Sequence, residues 1–138
     1  MAGNFLDTNI LVYLASSDQT KADRAEALVR QGGTISVRVL DELSNVARRK
    51  LRMSWSEIDI LLSSLRTLLT VEPITIDIHE NGLALAERYT LSIYDSMIVA
   101  SALHAKCDTI WSEDIKHGMI VDTQITIRNP FLPVIRAA

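Results

Sequence analysis

Short β-like runs alternate along this chain with longer stretches of helical periodicity, and that alternation constrains the fold more than any other feature. Asn4-Phe5-Leu6 reads as a strand and Thr8 to Ala15 as the helix after it. Gln19 to Gln31 is a second helix, with Asp18 as a candidate N-cap and Gly32-Gly33 as its stop. Thr34 to Val37 is β-like and precedes a helix over Val39 to Leu51. Ser54 and Glu57 form a capping-box signature that opens a helix to about Leu69. Thr70 to Ile76 is again β-like, and Pro73 restricts it to an edge strand or a loop. Asp77 with Glu80 marks the start of a helix to about Tyr89, and Ser92 with Asp95 another to about Lys106. Thr109 to Trp111 and Ile125 to Ile127 are the last strands, with Asn129-Pro130 ending the second. Strands and helices in this order predict an α/β domain with a mainly parallel sheet. In such sheets functional groups gather beyond the carboxyl ends of the strands.

A chain of 138 residues fits one domain with one core, here 1–138. At 48% hydrophobic and 22% charged residues it is far too apolar to read as disordered. No stretch approaches the roughly 18 apolar residues of a membrane span, because Asp95 and His104 interrupt the longest apolar segment. The opening MAGNFLDTN lacks the basic and apolar regions of a signal peptide. Cys107 is the sole cysteine, which suits a reducing cytoplasm. The net charge of −3 counts against a dedicated nucleic-acid-binding protein, although an enzyme with its acids in one pocket escapes that objection. Arg38, Arg48, Arg49, Lys50 and Arg52 cluster, either as a phosphate-holding patch or as a solvated helix end.

Two acids occupy strand ends. Asp7 follows Asn4-Phe5-Leu6, and Asp114 lies shortly after Trp111. Each has a plainer alternative, Asp7 as the cap of the next helix and Asp114 as a turn residue. Asp95 stands in the first turn of a helix that is apolar nearly all round, through Met97, Ile98, Val99, Ala100 and Ala102. Such a helix is buried, and a buried carboxylate without a basic neighbour calls for a cation. Glu42 lies just off the apolar stripe of Val39, Leu40, Leu43, Val46 and Ala47, on the same flank as Asn45 and Arg49. Converging carboxylates repel one another unless a cation neutralises them. Oxygen ligands without Cys or His suit Mg²⁺ or Mn²⁺ rather than zinc. Such an ion activates water and stabilises charge at an attacked phosphate, which is the chemistry of phosphodiester hydrolysis. His79, His104 and His117 lack ligand spacing.

These residues resemble the PIN-domain family, and especially the toxin ribonucleases of bacterial VapBC toxin–antitoxin pairs. The likeness runs through Asp7-Thr8-Asn9, through Glu42 in Leu40-Asp41-Glu42-Leu43, through Tyr94-Asp95-Ser96 and through Ser112-Glu113-Asp114. Ile127-Arg128-Asn129-Pro130-Phe131 is similar to one branch of the family. The resemblance implies a three-layer α/β/α sandwich and a Mg²⁺- or Mn²⁺-dependent endoribonuclease. It implies Asp7 and Asp95 as principal metal ligands, Glu42 and Asp114 as the other acids, and Thr8, Asn9 and Ser112 as residues that orient them. It also implies a homodimer and an antitoxin partner that blocks the site. Some relatives carry another acid shortly after the last motif aspartate, where this chain has Lys116, His117 and Gly118. One cation is therefore expected rather than two.

A haloacid-dehalogenase-like phosphatase also has an aspartate after its first strand, but it needs a second two residues on, where this chain has Asn9. The remaining rival is a PIN-like binding module with little or no nuclease activity. Carboxylates that repel phosphate give a pure RNA-binding surface no advantage.

Overall fold

In a computed structural model, which describes residues 3–132, six strands form one sheet in the order β3-β2-β1-β4-β6-β5. The elements are β1 (Gly3–Leu6), α1 (Thr8–Val12), α2 (Gln19–Arg30), β2 (Thr34–Ser36), α3 (Val37–Arg49), α4 (Trp55–Leu68) and β3 (Thr70–Glu72). They continue with α5 (Ile76–Tyr89), α6 (Ile93–His104), β4 (Cys107–Trp111), β5 (Ile120–Val121) and β6 (Ile125–Arg128). Every pairing is parallel except that of β5 with β6. The expected α/β architecture is present, with helices flanking a mostly parallel sheet.

Phe5, Leu6, Ile35, Ile110 and Ile127 are fully buried in the sheet, and Ile10, Leu28, Val39 and Val99 cover it from the helices. Burying such side chains is the main source of stability, at roughly 1.5–3 kcal/mol each. On α6 every residue from Ser96 to Ala102 is buried, as its all-round apolar pattern predicts, and the helix packs on β2, β4 and α5. Helix α3 packs on α1 and α4.

The topology determines where a site can form. From β1 the chain moves outward through β2 to β3, then returns to place β4 on the other side of β1. Chain connections thus leave β1 and β4 in opposite directions, which opens a crevice at the carboxyl ends of these neighbouring strands. Asp7 and Ser112 are the residues that directly follow those two strands.

Several boundaries differ from the sequence reading for identifiable reasons. The first helix is α-helical only to Val12 and tightens into a 3₁₀ turn over Tyr13–Ala15. Helix α3 begins at Val37, because Ser36 ends the strand and accepts a hydrogen bond from the Val39 amide at 3.3 Å. Likewise Thr75, not Asp77, caps α5, and Asp77 falls in its first turn. Pro73 follows β3, which is indeed an edge strand. The short antiparallel β5 was not expected at all. It turns into β6 through Asp122 and Thr123, both at positive φ, whereas such turns usually advertise themselves through Asn-Gly or Asp-Gly.

Candidate active site

Asp7 continues β1 by one backbone bond, its amide donating to the Trp111 carbonyl at 3.0 Å, before the chain turns into α1. Its side chain then performs the capping role that was the plainer expectation: Oδ1 accepts from the Thr8 amide at 2.7 Å. The other oxygen faces a crevice and accepts from Ser112 Oγ at 2.8 Å and Asn9 Nδ2 at 3.1 Å. The residue is only 7% exposed. Burial pushes its carboxyl up to about 6; the bonds from Ser112 and Thr8 oppose that rise, and the nearby charges of Asp95 and Glu42 add to it.

Asn9 and Ser112 connect the two strand ends. Asn9 Nδ2 donates to Asp7 Oδ2 and Asp114 Oδ2, each at 3.1 Å, while its Oδ1 accepts from the Glu113 amide at 3.0 Å. Ser112 is fully buried, and besides donating to Asp7 it accepts from the Asp114 and Ile115 amides at 3.3 and 3.2 Å. One hydroxyl thereby holds Asp7 and shapes the loop that presents Asp114. Thr8 Oγ1 donates to Glu42 Oε2 at 2.9 Å, which brings the fourth acid to the same place from α3. On the other side of that carboxylate, Arg38 Nε donates to Oε1 at 2.9 Å.

Asp95 departs from expectation in one respect. Its helix is buried, but the residue itself stands half-buried in the first turn, where α6 emerges from the core. Ser92 accepts from the Asp95 amide, but the return bond that completes the box at Ser54 and Glu57 is missing. Burial raises the Asp95 carboxyl; the Ser92 hydroxyl opposes this, and Asp114 and Glu42 push it further up. Asp7 is therefore the truly buried acid, and Asp114 is exposed at the rim.

Asp7, Glu42, Asp95 and Asp114 line a single cavity of about 700 Å³. Thr8, Asn9, Glu113, Tyr13, Tyr94, Arg38 and Lys50 share its wall. Of these last, Tyr13 carries no signal in the sequence, Glu113 and Tyr94 stand out only as parts of motifs, and Arg38 and Lys50 belong to the basic cluster. The spacing of Arg38 and Glu42, one helical turn apart on α3, was the available signal. Ser112 lies behind Asp7 rather than on the wall. Glu113 is secured by Tyr13 Oη, donating at 2.6 Å, and by Lys21 Nζ at 2.9 Å. Against a burial cost, those two partners hold its carboxyl below the usual range. Neither Lys116 nor any of the three histidines lines the cavity, and His117 accepts from the Asn129 amide instead.

Does this set fit a divalent cation? Among the described residues no three His, Cys, Asp or Glu side chains close on one point tightly enough to form a ready-made cage. A hard ion that keeps several waters and takes one or two direct carboxylates needs no such cage. Asp7 meets the other requirement: a fixed carboxylate raised chiefly by burial, and further by neighbouring negative charge, gains most from a cation. The donor set, four carboxylates on one cavity wall without Cys or His, is of the kind that suits Mg²⁺ or Mn²⁺.

Comparison with known proteins places the family and the fold. The sequence model of the PIN domain matches residues 5–118. A toxin–antitoxin complex from Klebsiella pneumoniae contains a similar chain, with TM-score 0.71 and 23% identity over 93% of this chain and 98% of that one. A VapC toxin of Mycobacterium tuberculosis, described as cleaving the sarcin–ricin loop, gives TM-score 0.66 and 20% identity over 82% and 91%. A VapBC complex of Rickettsia felis, bound to a DNA fragment from its promoter, gives 0.64 and 22% over 91% and 97%. No curated protein matches the sequence.

Proposed function

The chain belongs to the PIN-domain family, and from that premise we propose that it is a Mg²⁺- or Mn²⁺-dependent endoribonuclease, the toxin of a toxin–antitoxin pair. The observation that carries the reading is Asp7: a buried, immobilised carboxylate at the switch point of the sheet, sharing one cavity with three further acids.

When bound, a divalent cation supplies positive charge for the scissile phosphate and makes water a better nucleophile. The protein's own residues do the rest. Asp7 and Asp95 would hold the ion, and Asn9 and Ser112 fix the Asp7 carboxylate by hydrogen bonds to Oδ2. Asn9 keeps Asp114 in register with Asp7, and Thr8 does the same for Glu42. Glu42 and Asp114 would accept hydrogen bonds from water and so orient it towards the phosphate. Lys50 and Arg38 offset the charge of the approaching RNA backbone.

The test is cleavage of a panel of structured RNAs with Mg²⁺, with Mn²⁺ and with excess chelator. Discrete fragments with either ion, lost with chelator and restored by added Mn²⁺, are expected. RNA bound but never cut would favour the binding-module reading. The toxin role, with an antitoxin partner, draws support from the likeness to the Klebsiella and Rickettsia complexes; a homodimer in the cytoplasm is part of the same proposal. Expression of the native locus should yield a short protein that co-purifies with this chain and suppresses cleavage. An active protein that is harmless without any partner would contradict that role.

A further inference from the structure

The cavity presents a charge problem for a polyanionic substrate. Five carboxylates line it, Asp7, Glu42, Asp95, Glu113 and Asp114, against two cations, Arg38 and Lys50. One bound ion leaves the balance negative, so the affinity for RNA must come partly from contacts other than charge. Tyr94 offers one. It precedes Asp95 in the first turn of α6 and lines the cavity, yet it is 63% exposed, an unusual place for a large ring. The Arg38 guanidinium lies 4.2 Å from the centre of that ring. Arg38 is fixed by its Nε bond to Glu42 Oε1, the one hydrogen bond its side chain makes among the described residues. The residue lines the cavity, and neither Nη has a hydrogen-bond partner among the described residues.

Resting on the ribonuclease reading above, we propose that Tyr94 and Arg38 form the base-binding platform of the enzyme. An unpaired nucleobase beside the scissile bond stacks on the ring face that Arg38 leaves open, and the Arg38 Nη groups take the adjoining phosphate. The position explains why the pair belongs together. Arg38 stands one turn before Glu42 and Tyr94 one residue before Asp95, so a base seated there puts its phosphate among the acids. Stacking tolerates any base but requires it to be out of a helix, so the platform selects unpaired nucleotides. A planar guanidinium can both stack and hold a phosphate with a fork of donors, which a lysine cannot. A similar pair elsewhere, Arg48 over the 67% exposed Trp55, does not line the cavity and provides an internal control.

The experiment uses a short single-stranded RNA carrying 2-aminopurine, bound in Mg²⁺ by the full-length Asp7→Asn protein so that it stays uncut. Quenching of the probe is expected with that background and with Tyr94→Phe. Tyr94→Ala should lose the quenching and bind about tenfold or more weakly. Arg38→Lys should weaken binding as well, whereas Trp55→Ala should change nothing. In the otherwise wild-type enzyme Tyr94→Ala should raise KM far more than it lowers kcat, at an unchanged melting temperature. Unaltered quenching and KM in Tyr94→Ala, or an equal loss in Trp55→Ala, overturns the platform and leaves the ribonuclease standing. Tyr94-dependent quenching in a protein that never cuts RNA does the reverse.

Discussion

At pH 7 the cation-free protein keeps an ionised Asp7 in a nearly waterless position, and the fold bears the cost. The unfolded chain holds this carboxyl near 3.8 and the folded chain near 6, so between those values the folded state binds the extra proton. Stability from this group is therefore greatest below about pH 4, falls as pH rises towards 6 and stays low above it. The difference amounts to about 3 kcal/mol. Asp7→Asn removes the charge but turns one acceptor into a donor facing Asn9, so it recovers only part of that amount. Thermal melts in chelator should show Asp7→Asn at least as stable as wild type at pH 7, with the gap closing towards pH 4. A variant less stable by the same margin at both pH values would contradict this. Ser112→Ala has the opposite character. It strips a donor from Asp7 and an acceptor from the Asp114 and Ile115 amides in a fully buried place, and should cost about 1–3 kcal/mol with or without cation. Urea denaturation would measure it. At this scale the sequence picked out four acids that the fold brings to one cavity, but it pointed to Asp95 as the buried one where the structure buries Asp7. Asp95 looked buried because its helix is, yet the chain enters α6 from the surface, and entry direction is set by tertiary packing rather than by periodicity.

Among the elements, the legible ones carry local chemistry. Asp18, Ser54 and Ser92 cap their helices as their spacings predict, and the Ser54–Glu57 box forms both of its bonds. What could not be read is short or depends on distant partners. Strand β5 has two residues and exists only because β6 pairs with it, and Val37 joins a helix despite its β-branched side chain because Ser36 caps there. Gly33 joins these two classes. It was expected to stop α2, and it also sits at φ +154° where an added Cβ would lie 2.8 Å from the Asn4 carbonyl oxygen of β1. Gly33→Ala should therefore destabilise the protein by about 1–3 kcal/mol, through strain and through displacement of β2 from β1. Chemical denaturation with an unchanged midpoint would show that the two strands do not approach as closely as described.

For the molecule as a whole, the sheet order accounts for the site. Because connections leave β1 and β4 in opposite directions, residues more than a hundred positions apart, Asp7 and Ser112, come within 2.8 Å. Strand–helix alternation predicted the parallel sheet, and the strand-end rule predicted where to search. The order of the strands, and with it the pairing of Asn9 with Asp114 and of Thr8 with Glu42, had no local signature. Only the ordered set of acids, taken through the family resemblance, brought the four together before the fold did. A cavity this rich in carboxylates should also report a ligand through stability. Mn²⁺ at a hundred times its dissociation constant should stabilise the wild type by about 2.7 kcal/mol, and Asp7→Asn much less. The most direct measurement sets wild type and Asp7→Asn side by side on one RNA at saturating Mn²⁺, both confirmed folded by circular dichroism. Defined cuts by the wild type are expected, with a rate at least a hundredfold lower for the variant, about 2.7 kcal/mol or more of lost transition-state stabilisation. Equal cleavage by the two proteins would contradict that expectation.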